Sequence, residues 1–189
     1  MIVHNSLQYR TSPRKLRSKA RVEYDIPLEM PEAQRIHRTY QRSYPGVPRY
    51  WSTQIDLVKE LGYVETFGGS RVNVIGDWSG RDSWSMGSTA INTRIQGTGA
   101  DQKYLAMKYI RPILHRYGAR FLFDLHDGLY LLSPKQHTIN LAHELKHVLD
   151  NLPYQEEWGF TPRIPMPWDC KVGPSWGKLK DFDFKASVR

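Results

Sequence analysis

The sequence predicts an α+β fold, a small antiparallel sheet packed with helices. Three observations carry that expectation. Apolar side chains recur at helical spacing in several segments, with Ala33, Ile36, Tyr40 and Tyr44 one such set. Two stretches, Tyr63 to Val74 and Ala119 to Leu132, read as strand–turn–strand. The strands fall between helices along the chain, which favours a mixed fold.

Taken in order, Pro13 to Arg21 reads as a short basic helix with proline at its first position, and Glu29 to Tyr44 reads as a second helix stopped by Pro45-Gly46. Pro48 can open a third, with Trp51, Ile55, Val58 and Leu61 near one face and Gly62 at its end. A hairpin follows, in which Tyr63 to Phe67 and Arg71 to Val74 flank Gly68-Gly69-Ser70; Asp77 to Asp82 is a polar loop. Ser83 to Tyr117 is helical again, with a break expected near Pro112. Its middle, Gln96-Gly97-Thr98-Gly99-Ala100, is small-sided. Each glycine inside a helix costs up to ~1 kcal/mol, so close approach of another surface is expected there, either a neighbouring strand or a nucleic-acid duplex. Asn92 and Gln96, four apart, share a face and can each donate and accept hydrogen bonds. Ser133-Pro134 caps a helix reaching about Asn151; the remainder is loop-rich, with a short strand near Asp169 to Val172.

With 189 residues the chain can bury a real core. Its 27 Lys and Arg against 19 Asp and Glu give +8, a balance that suits a polyanionic partner. Arg10, Arg14, Lys15, Arg17, Lys19 and Arg21 concentrate that charge, bracketed by Tyr9 and Tyr24. Such a run is either a solvated face or a phosphate-contacting surface. Cys170 is the one cysteine, so no intrachain disulfide forms, and a reducing compartment fits. No apolar run is long enough to span a bilayer, and no signal-peptide core opens the chain; no membrane partner is expected, and a cytoplasmic location is.

The most informative stretch is Phe121 to Leu132, FLFDLHDGLYLL. An apolar strand runs into His126-Asp127, turns at Gly128 and leaves as a second apolar strand. Asp-Gly is an ordinary hairpin signal, but a carboxylate at the tip of rigid strands is also well placed to ligate a metal.

The order of these pieces resembles the C-terminal part of family A DNA polymerases, the bacterial polymerase I and phage replicase group. Tyr44-Pro45-Gly46-Val47 looks like its RYPGV element, and Gly62-Tyr63-Val64-Glu65-Thr66 with Gly69 and Arg71 looks like its GYVETxxGRR hairpin. Ala90 to Asp101 resembles its AINxxxQGTAAD helix, Leu125-His126-Asp127 its VHDE motif, and Lys171 to Trp176 its KxGxNW ending. The resemblance runs from Asn5 to about Trp176. It implies a helical remnant of the fingers over residues 1–62 and a palm portion over 63–189. It implies DNA-directed DNA synthesis, with primer–template DNA and dNTPs as partners, in a bacterial cell or phage-infected host. Asp127 looks like one of two aspartates that hold catalytic Mg2+, and His126 like the residue beside the primer terminus. Asn92 and Gln96 look like the face that contacts the duplex. Tyr9 aligns with the tyrosine ending the nucleotide-binding helix, and Arg10 and Arg14 fall in the basic run beside it.

Gly128 stands where the family usually has Glu, and Ser88 where many members carry a basic residue. The family's first motif, with the other metal-binding Asp, has no counterpart here, nor do the triphosphate-binding Lys and Arg or the thumb. The expectation is therefore a polymerase fragment, or one piece of a split polymerase that needs a companion chain.

Two other readings remain. His143-Glu144-Leu145-Lys146-His147 satisfies HExxH, the zinc-peptidase pattern, with Glu156 or Glu157 as a conceivable third ligand. However, Ala142, Leu145, Val148 and Leu149 define the buried stripe of that helix, and both histidines fall roughly opposite it, towards solvent. The other reading keeps the nucleic-acid surface and drops the chemistry: a DNA-binding remnant of a polymerase.

Overall fold

A computed structural model describes residues 7–186. It bears out the α+β class. Among the described residues the strands form three separate two-stranded antiparallel ribbons. The chain divides into two compact units, one taking in the residues up to Thr66 together with Ser70–Gly97, the other Phe67–Gly69 and the residues from Thr98 onward.

The first unit contains α1 (Pro13–Tyr24), whose Ser12 side chain accepts the Lys15 amide and whose Pro13 occupies a position where no amide is missed. Only Leu16 of α1 is buried, which leaves the basic side chains largely in solvent. α2 (Met30–Ser43) and α3 (Gly46–Leu61) follow, and α3 ends at Gly62 in the left-handed conformation. Leu7, Leu16 and Tyr40 form one small core. Strands β1 (Tyr63–Glu65) and β2 (Arg71–Asn73) pair with Val64 opposite Val72. Val64 joins Val58, Val74 and Ala90 in a second core under α4 (Ser83–Asn92).

After α4 the chain widens into one π-helical segment, Thr93–Gly97. Arg94 Nη1 donates to the Glu65 carbonyl at 3.0 Å, tying this segment to β1. A Cβ on Gly97 would lie 2.6 Å from Thr66 Cγ2, so the close approach of this residue just past β1 requires glycine there. Gly99 has nothing within 4 Å of its Cβ position. Of the two reasons expected for the small residues, packing within the chain accounts for Gly97 and not for Gly99.

The second unit is built on α5 (Thr98–Arg116), β3 (Arg120–Leu125), β4 (Gly128–Leu132) and α6 (Thr138–Asp150). The expected break at Pro112 does not occur; the proline sits inside α5. An interior proline costs about 3 kcal/mol. Buried Leu105, Ala106 and Ile110 before it and Ile113 and Leu114 after it hold both halves against Leu141, Leu145 and Leu149 of α6. The helix expected from Pro134 starts instead as a 3-10 turn, Lys135–His137, and becomes α-helical at Thr138, where the Thr138 and Ser133 hydroxyls pair at 2.8 Å. Two elements lie outside the sequence expectation: α7 (Tyr154–Trp158), and β6 (Lys180–Asp181), which pairs with β5 (Lys171–Val172). Glu157 of α7 accepts from Lys108 Nζ at 2.6 Å and Tyr109 Oη at 2.7 Å, fastening α7 to α5.

Gly97→Ala should destabilise the protein by about 1–3 kcal/mol, the usual cost of overpacking. Gly99→Ala should leave it unchanged or up to about 1 kcal/mol more stable, through helix propensity. Urea unfolding of the two variants against the parent checks both.

Candidate active-site hairpin and nucleic-acid face

Strands β3 and β4 pair directly up to Leu125 opposite Gly128, so His126 and Asp127 alone make the turn. The left-handed residue is His126, at φ +52, while Gly128 does not take a positive φ. Gly128 opens β4 and pairs across the ribbon, so the tight two-residue loop forces its first residue to positive φ. For a histidine that conformation costs about 1 kcal/mol and persists only where the surroundings impose it.

Lys103 on α5 contacts this turn. Its side chain is 11% exposed, and its ammonium donates both to the Asp124 carboxylate and, at 3.0 Å, to the carbonyl of His126. The hydrogen bond from Lys103 holds the Asp124 carboxyl below its ordinary range, against a desolvation effect that opposes it and with the attraction of the ammonium adding to it. Farther along the ribbon, Phe123 and Tyr130 stack at 4.7 Å, and Trp176 lies 4.8 Å from each ring. The hairpin is thus gripped at its tip by a cation and along its length by an indole. Sequence reasoning missed Lys103, Asp124 and this use of Trp176; an acidic residue two before His126 facing a lysine on an apolar helix was the available signal.

Asp127 is exposed and makes no ion pair among the described residues. A hard carboxylate oxygen suits Mg2+ as one ligand, but no three His, Cys, Asp or Glu side chains among the described residues group to hold a metal. Asp124 is committed to Lys103, and Gly128 supplies no carboxylate. These residues alone do not complete a magnesium site.

The other candidates lie in the first unit. The structure brings Tyr9 and Gln96 together, with the Gln96 amide donating to the Tyr9 hydroxyl. Trp51 Nε1 donates to the neighbouring Gln8 carbonyl at 2.9 Å and holds that segment in place. Asn92 is half-buried, and its Oδ1 is enclosed without a hydrogen-bond partner. Arg10 folds back at φ +59, and its guanidinium lies 4.3 Å above the Trp84 ring. A Cβ on Gly87 would meet that guanidinium at 2.4 Å, so glycine makes room for it. Burial pushes the Arg10 pKa down. Arg14 is exposed on α1.

The HExxH residues are drawn into packing. Glu144 accepts from Arg116. His147 is exposed as expected, but His143 is not turned to open solvent. Its ring meets those of Phe182 and Phe184 at 5.8 and 5.4 Å, because the segment following β6 folds over it.

The family model for DNA polymerase family A matches residues 3–178. The chain is 32% identical over 166 residues to DNA polymerase I of Deinococcus radiodurans, covering 86% of this chain and 16% of that protein. It is 28% identical over 167 residues to the thermostable DNA polymerase I of Thermus aquaticus, covering 87% and 19%. It is 27% identical over 175 residues to the DNA polymerase of Bacillus phage SP01, covering 89% and 19%. The chain thus spans less than a fifth of the length of these relatives. Among solved structures, the POL domain of Pol1 from M. smegmatis, in complex with DNA primer-template and dNTP, superposes with a TM-score of 0.70 at 23% identity. That match covers 80% of this chain and 26% of the other.

Because the folded-state pKa of Asp124 is depressed, its contribution to stability is present above the ordinary aspartate pKa, about 3.9, and is lost as pH falls through the lower folded value. The carboxyl carbon of Asp124, followed by NMR, should titrate below that ordinary value in the parent and return towards it in Lys103→Met.

Proposed function

This chain belongs to DNA polymerase family A, and from that membership we propose that it forms the C-terminal catalytic portion of a DNA-directed DNA polymerase, residues 1–62 contributing to the fingers and 63–189 to the palm. The observation that carries the reading is Asp127: an exposed carboxylate on a two-residue turn whose backbone is pinned by a buried lysine. Catalytic carboxylates need such a fixed mount, since small misplacements at a reacting centre are costly.

In this reading Asp127 offers one anionic oxygen ligand at the end of the ribbon. With further carboxylates completing the site, Asp127 would help hold Mg2+, which would supply activation of the primer 3′-hydroxyl and charge neutralisation at the leaving pyrophosphate. His126 stands beside the primer terminus, and its left-handed backbone turns Asp127 outward from the strand ends. Asn92 and Gln96 contact the primer–template, with Tyr9 bracing Gln96 near the incoming dNTP. Arg14 adds a phosphate contact from α1, while Arg10 supports the same face through its stack on Trp84. Since Asp127 has no acidic neighbour free to share a cation among the described residues, further polypeptide supplies the second aspartate, either a companion chain or an adjoining segment. The bacterial and phage relatives support a cytoplasmic setting.

A second reading, a DNA-binding remnant without chemistry, draws on the same solitary carboxylate. Primer extension separates the two. The chain alone should not extend a primer, and the chain combined with polypeptide carrying the first aspartate strand should. In that combination Asp127→Asn should lower extension at least about 10²-fold, while primed-DNA affinity stays and keeps its steep decline with salt. Near-parental rates in Asp127→Asn, or no extension in the combination, would leave only the binding role.

A further inference from the structure

The β3–β4 ribbon is seated along β4 by Leu129 and Leu131, which pack on the main core, while its turn is tied to α5 by Lys103. Phe121, Leu122, Asp124 and Leu125 of β3 are all exposed, so β3 itself adds little burial near the turn. The aromatic stack with Trp176 grips Phe123 and Tyr130, several residues from the turn. At the turn itself, Lys103 is the link to α5. Its two acceptors, the Asp124 carboxylate and the His126 carbonyl, lie on either side of Leu125, and the second belongs to the strained residue directly before Asp127.

We propose that Lys103 is a positioning residue for Asp127, its ammonium locking the turn into one conformation while Asp124 cancels its charge. The cancellation matters because an unbalanced ammonium near Asp127 would repel a divalent cation. The chain thereby gains a donor strong enough to hold His126 at positive φ without an electrostatic penalty at the carboxylate it presents. Lys103 itself, nearly buried and with both acceptors satisfied, is not offered to substrate phosphates. This inference rests on the polymerase reading for its consequence, though not for its geometry.

Two measurements test it on the whole chain. Hydrogen exchange at the amides of His126 to Leu129 should quicken at least tenfold in Lys103→Met and by a smaller factor in Asp124→Asn, with the β1–β2 ribbon unchanged as the control for folding. In primer extension by the combined polypeptides, Lys103→Met should lower kcat at least tenfold with KM for primed DNA unchanged. Asp124→Asn, which leaves the ammonium unbalanced, should instead raise the Mg2+ concentration needed for half-maximal rate at least threefold. A turn that exchanges at the parental rate in Lys103→Met overturns the inference, whatever the enzyme does. So does a quickened turn with parental kcat, because the clamp then fixes nothing that catalysis needs. An absence of extension by the parent combination is a separate failure: it removes the polymerase reading and with it the catalytic role of Lys103, while the exchange arm still decides the clamp.

Discussion

One ammonium group organises the turn of the β3–β4 ribbon. Lys103 reaches from the buried side of α5 to the tip of a ribbon whose β3 strand is largely exposed. A lysine so nearly enclosed gives up much of its hydration, a penalty met only if strong acceptors replace the lost water. The carboxylate of Asp124 and the carbonyl of His126 are those acceptors. The helix underneath can hold that lysine rigidly because its apolar face is locked to α6, firmly enough to carry a proline without breaking. Core packing, the ion pair and the left-handed turn therefore form one chain of dependence ending at Asp127.

Elsewhere the fold trades side chains for proximity. Gly97 lets Thr66 approach the π-helical segment, and Gly87 lets the Arg10 guanidinium lie over Trp84. In both places a missing Cβ is filled by a neighbour within the same unit. Gly99 meets no such neighbour. The basic segment divides in a similar way: Arg10 is turned inward to an aromatic ring while Arg14 remains in solvent.

The HExxH pattern shows why a motif needs its surroundings. The spacing is right for two ligands on one helix face, yet Glu144 is held by Arg116 and His143 is closed in by two phenylalanines from far along the sequence. The family resemblance fared better because it rested on five elements in order, and the family match over residues 3–178 agrees with it.

Local chemistry was legible in the residues themselves. Ser12-Pro13 started α1, Gly62 stopped α3, the alternation around His126-Asp127 marked a ribbon, and the motif order marked the family. Those features arise from interactions a few residues apart, which a sequence states directly. What the tertiary structure alone decided were the long-range choices. It set Lys103 on Asp124 and His126, and the aromatic stack of Trp176. It closed Phe182 and Phe184 over His143, and it tolerated Pro112. It also put the left-handed conformation on His126 and Gly128 at the head of β4, because strand pairing fixes which residues lie in the loop. Each of these depends on groups brought together by burial of a common core, and no spacing along the chain encodes which of many compatible partners that burial will select.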